Sequence, residues 1–102
     1  MKAYERLLSY VKIFTPSNEE STSSPSSRCQ FDLARLLVEE LKGLGISDVT
    51  LDDHCYVYAH LPATEGLEHC KALGFIAHMD TVSDFCDHAV TPVITENYDG
   101  KD

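Results

Sequence analysis

His78 and Asp80 form the pair on which chemistry is most readily built. They stand two residues apart at the end of the apolar run Ala72-Leu73-Gly74-Phe75-Ile76-Ala77. In an extended chain, positions i and i+2 face the same side. A neutral imidazole ligates zinc well, and a carboxylate beside it can orient that ligand or share charge with the metal. If the run is a buried strand, both side chains face a cleft at its carboxyl end, where open α/β sheets build their sites. Spacing alone is a weak signal, because a His-x-Asp pair is more often a structural hydrogen bond.

Other groups compete for attention. Cysteines stand at Cys29, Cys55, Cys70 and Cys86, widely spaced and with no Cys-x-x-Cys pair. His54-Cys55 and His69-Cys70 suggest a Cys₂His₂ zinc site, but known sites keep residues between paired ligands. Adjacent residues in a strand also point to opposite faces. The expectation is surface histidines beside buried or half-buried thiols. Asp84, Asp87, Glu96, Asp99 and Asp102, together with His88, follow the run. They are candidates for an acidic rim around a cation or a substrate ammonium, against the commoner alternative of solvated loop charges. Cys86 lies two residues from His88, yet nothing supplies a lowered pKa or an orienting third group, so a cysteine nucleophile is discounted. A glycine-rich phosphate loop and a Gly-x-Ser-x-Gly elbow are both missing.

The elements that must position these residues follow from periodicity. Tyr4, Leu7, Leu8, Val11 and Phe14 step by threes and fours, which predicts a helix over 3–14. Pro16 stops it. Residues 18–27 hold six serines and threonines with two glutamates and read as a polar surface loop. Ser24-Pro25 fits an N-cap and first helical position. The second helix carries Phe31, Ala34, Leu37, Val38, Leu41 and Leu44 at helical spacing and stops at Gly43 and Gly45. Residues 49–51 and 56–61 read as strands around an Asp52-Asp53 turn. Residues 62–68 read as a loop, and 72–78 as a strand buried on both faces. A short edge strand over 92–95 and a turn over 97–102 complete the reading. The expected fold is α/β: two helices followed by a mixed sheet of about three to four strands, with no internal boundary or repeat.

Composition sets outer bounds. The 102 residues are 43% hydrophobic and 25% charged, enough for one modest core or part of a larger one. Eight Lys and Arg against seventeen Asp and Glu leave a formal charge of −9. That balance speaks against nucleic acid or an anionic membrane surface as partner. No apolar run approaches the ~20 residues of a membrane span, and the first residues lack a signal-peptide core, so the expectation is cytoplasmic. Free thiols fit that compartment.

The block Gly74-Phe75-Ile76-Ala77-His78-Met79-Asp80-Thr81-Val82 resembles the tripeptide aminopeptidases of the M20 family of zinc-dependent metallopeptidases. Val90-Thr91-Pro92-Val93-Ile94 and Glu96-Asn97-Tyr98-Asp99-Gly100-Lys101-Asp102 extend the resemblance. So do the helix around Glu5 to Val11, the Thr15-Pro16-Ser17 turn and the second helix. The resemblance implies that His78 is a zinc ligand and Asp80 a supporting catalytic residue that orients the metal ligands. It also implies two zinc ions that activate water, a glutamate base, and small peptides as substrates. The family's bridging aspartate, base and remaining ligands have no counterpart among these 102 residues. The expectation is thus the front portion, residues 1–102, of a catalytic domain, inactive alone and unable to hold the zinc pair. The alternative is a self-standing α/β binding or assembly module without catalysis. Under either reading, exposed strand edges and apolar helix faces predict self-association.

Overall fold

The computed structural model describes residues 1–85 and 87–101. Cys86 and Asp102, candidates from the sequence, lie outside the described residues.

Helix α1 spans Ala3–Tyr10. At its start the Glu5 carboxylate accepts from the Lys2 backbone N–H at 2.5 Å, which satisfies one of the donors that every helix start leaves over. The apolar steps predicted a helix to residue 14, but it ends a turn earlier. Ile13 N–H donates to the Tyr10 carbonyl at 2.9 Å in a tight turn, and Thr15 is already committed to a distant partner. That long-range pairing outweighs the local helical pattern.

Helix α2 spans Gln30–Gly43, so Ser24-Pro25 does not open it. The Ser24 hydroxyl instead reaches the His54 carbonyl at 3.5 Å, and Ser23 donates to the Pro25 carbonyl at 2.9 Å. Turns over 27–32 then lead into the helix, and the buried Gln30 side chain donates back to the Pro16 carbonyl at 3.2 Å. The stop falls where the sequence put it. Gly45 adopts φ +91°, a left-handed conformation that favours glycine, while its N–H bonds the Lys42 carbonyl at 2.9 Å.

Strand β1 (Asp48–Leu51) pairs antiparallel with β2 (Val57–His60), in the register Asp48↔His60 through Leu51↔Val57. Asp52 builds the turn between them. Its carboxylate accepts from the backbone of His54 at 3.0 Å and of Tyr56 at 2.9 Å. Cys55, buried in that turn, takes φ +68°.

Helix α2 packs over this hairpin. Leu33, Ala34 and Cys55 are the buried apolar side chains among the described residues. Helix α1 is tied to α2 at Glu40, which meets Arg6 at 3.2 Å and accepts a hydrogen bond from the Tyr10 hydroxyl.

The class and order are as expected: two helices, then a small sheet. The sheet itself is smaller and wholly antiparallel, with two strands. Residues 72–78 and 92–95 are not strands. A strand buried on both faces needs a ladder partner and a covering layer on each side. Among the described residues no backbone hydrogen bond involves 71–77. Leu73 is 80% exposed, Phe75 91% and Ile76 fully. The radius of gyration is 16.9 Å, against about 13 Å for a compact chain of this length. No helix among the described residues is long and apolar enough to cross a membrane.

Candidate functional site

Thr81 is fixed by backbone pairing to the segment that follows α1. Thr81 N–H donates to the Thr15 carbonyl at 2.9 Å, and Ser17 N–H donates to the Thr81 carbonyl at 2.8 Å. These bonds make a parallel bridge between Pro16 and Thr81. The Ser17 hydroxyl adds a second donor to the Thr81 carbonyl at 3.1 Å, and Val90 N–H reaches the Val11 carbonyl at 3.0 Å. In a parallel bridge the residues flanking one partner make both bonds, so Pro16, which lacks an N–H, is tolerated at the bridged position.

Above the clamp, His78 and Asp80 come together as their spacing predicted. His78 Nδ1 lies 3.0 Å from Asp80 Oδ1 and 2.9 Å from the Asp80 carbonyl oxygen. Both neighbours are acceptors, so Nδ1 must carry the proton. In the neutral ring that leaves the Nε2 lone pair free. The His78 side chain is 86% exposed and the Asp80 side chain 44%, so Nε2 is open to solution. One imidazole is therefore held in the tautomer that binds metal through Nε2, with a carboxylate as its orienting partner.

The pair edges an apolar cavity of about 390 Å³ between α1 and α2, walled by Leu7, Tyr10, Phe14 and Leu37. His88 lines the same cavity. Its Nδ1 meets Asp87 Oδ1 at 2.5 Å, and that hydrogen bond is the main cause of a lowered Asp87 carboxyl pKa. The sequence placed His88 in a possible rim. Its position on the cavity wall comes from the fold.

The other candidates stay apart. No group of three His, Cys, Asp or Glu among the described residues can hold a metal ion. A catalytic zinc normally has three protein ligands, so the described residues do not fit a complete zinc site. Asp84 and Glu96 are exposed, and Asp99 accepts from the Lys101 backbone at 3.0 Å. His54 is exposed and stacks on Tyr56, whereas Cys55 is buried, and that burial pushes its thiol pKa up. The Cys70 thiol is exposed rather than half-buried and lies 3.8 Å from His69 Nε2. It sits in a loop with no layer over it. The Thr15, Ser17 and Thr81 clamp was missed from the sequence; the Thr-Pro-Ser turn was its single trace.

With this geometry in place, the chain proves similar in sequence to a set of curated proteins. The matching proteins are named Peptidase T. The chain is 52% identical over 99 residues to the one from Alkaliphilus oremlandii, covering 96% of this chain and 24% of that relative. It is 50% identical over 101 residues to that of Bacillus licheniformis, covering 99% and 24%. With that of Geobacillus thermodenitrificans it shares 48% over 98 residues, covering 96% and 24%. These are homologues along nearly the whole chain, and the chain spans about a quarter of the length of the curated relatives it matches. No family model matches.

Proposed function

We propose that residues 1–102 are the front portion of an M20-type catalytic domain. The whole protein would be a zinc-dependent aminopeptidase that releases the N-terminal residue from tripeptides by metal-activated water. The observation that carries this reading is the His78–Asp80 pair, with Nδ1 anchored and Nε2 open, inside a span about 50% identical to proteins named Peptidase T. His78 is the proposed metal ligand and Asp80 the residue that fixes its tautomer and ring direction. Zinc is the proposed metal, two ions per site in the whole enzyme, and neither is assigned to these residues alone. By itself the chain is proposed to be inactive. Its substrates are proposed to be small peptides, with neither nucleic acid nor membrane as partner, in line with the −9 charge. A cytoplasmic setting suits the free thiols of Cys29, Cys55 and Cys70.

The test is exchange. The matched quarter of the Alkaliphilus oremlandii Peptidase T is replaced by these 102 residues, and release of the N-terminal amino acid from a tripeptide is measured with zinc present. Retained release is the expected outcome. A folded exchange protein that cleaves no peptide contradicts the proposal.

A further inference from the structure

A buried amide on α2 holds the segment to which Thr81 is tied. Gln30, the first residue of α2, is 7% exposed. Its side-chain nitrogen donates to the Pro16 carbonyl at 3.2 Å and to the Ser26 hydroxyl at 3.3 Å. A carbonyl can only accept, so the NH₂ end of the amide must face Pro16, and its two protons supply one bond each. The Ser26 hydroxyl in turn accepts from the Asn18 N–H at 3.1 Å, which ties the polar loop to the same point. In an extended segment successive carbonyls point to opposite edges. The Thr15 carbonyl and the Ser17 N–H occupy the edge that meets Thr81, which leaves the Pro16 carbonyl on the other edge, where Gln30 binds it. Thr15-Pro16-Ser17 is thus gripped from both sides.

The grip passes to His78 through one peptide plane. The Thr81 N–H that binds the Thr15 carbonyl and the Asp80 carbonyl that faces His78 Nδ1 belong to the same planar trans unit. That plane cannot turn without disturbing both bonds. The position of Thr15 therefore sets the direction of the Asp80 carbonyl, and with it the direction of the imidazole. We infer that Gln30 is a positioning residue for His78. Its amide holds the Pro16 carbonyl, the Pro16–Thr81 bridge fixes the 80–81 peptide, and that peptide aims the ring. The role rests on the reading of His78 as a working residue of the peptidase site. An apolar side chain of the same length fills the start of α2 equally well but offers no proton, and the Pro16 carbonyl then loses its partner.

Gln30→Met in the exchange protein tests this, because methionine keeps the length of glutamine and removes both protons. The expected result is Thr81 amide exchange about tenfold faster, the effect of one lost hydrogen bond of ordinary strength. His78 nitrogen-15 shifts lose part of their Nδ1–H preference, and kcat falls about tenfold at unchanged KM, as when an orienting partner is removed. Leu33→Ala is the comparison. It removes a buried side chain from the same helix, lowers stability in urea and leaves the His78 shifts in place. A Gln30→Met protein with wild-type Thr81 exchange and His78 shifts overturns the proposal. So does a Leu33→Ala protein whose His78 shifts move as far, since the effect is then one of stability alone. A change confined to KM assigns Gln30 to substrate binding and overturns it too. If Gln30→Met does not fold, the wild type decides: slow exchange of the Gln30 side-chain protons supports the grip on Pro16, and rapid exchange of both overturns it. A wild-type exchange protein that cleaves no peptide contradicts the peptidase reading, while Thr81 exchange and the His78 shifts still decide the role of Gln30.

Discussion

At the scale of single residues, Asp80 decides what His78 can do. A solvent-exposed histidine is free to interchange its ring proton, whereas two oxygens at 2.9 and 3.0 Å fix the proton on Nδ1. Nitrogen-15 chemical shifts should therefore show the Nδ1–H tautomer in neutral solution. Asp80→Ala keeps the backbone oxygen and loses the carboxylate, so it should weaken that preference, and identical shifts in the two proteins would remove the Asp80 carboxylate as an orienting group. The thiols offer a second residue-scale contrast. Burial pushes the Cys55 thiol up, and a thiol reacts as its thiolate, whereas Cys70 is exposed. Timed alkylation with peptide mapping should label Cys70 well before Cys55. The reverse order would contradict the turn geometry around Cys55. The His78–Asp80 contact was legible in the sequence because it needs a spacing of two and an extended backbone. The clamp beneath it was not. Its backbone bonds join Thr81 to Thr15 and Ser17 across most of the chain, and the Ser17 hydroxyl of the Thr-Pro-Ser turn is the side-chain trace they leave.

At the scale of elements, Glu40 joins the helices, and Tyr10 reports on the joint. Burial is the largest cause of the raised Tyr10 pKa, followed by the hydrogen bond its hydroxyl donates to Glu40. A raised folded-state pKa favours the protonated phenol. Its contribution to stability is complete below the ordinary value of 10.0 and fades as pH climbs through the higher folded value. Urea unfolding on either side of pH 10 should show the wild type losing more stability on the alkaline side than Tyr10→Phe does. Equal losses would mean that the Tyr10–Glu40 contact does not bear on folding. The amphipathic steps of both helices and the Asp52 turn were readable because each is settled by neighbours in sequence. Helix α2 starts later than Ser24-Pro25 suggested because those residues find partners in Ser23 and His54 first. The run 72–78 misled for a different reason. Its apolar pattern states that it is suited to burial, and burial depends on partners that the described residues do not provide.

At the scale of the whole molecule, the features point the same way. The surface is too large for the mass, the apolar core is three residues among those described, and among them no group of three His, Cys, Asp or Glu gathers where the His78 ring stands open. Each is expected of a part whose site and core are shared with further structure, and relatives four times as long fit that pattern. The proposal that His78 is a metal ligand of a peptidase is tested most directly by the exchange protein. In the Alkaliphilus oremlandii Peptidase T carrying these 102 residues, tripeptide turnover and bound zinc are measured with and without His78→Ala. The account predicts a fall in kcat/KM of about 1,000-fold or more, ~4 kcal/mol of transition-state stabilisation, together with loss of bound zinc. A His78→Ala protein that keeps both its zinc and its turnover would contradict it.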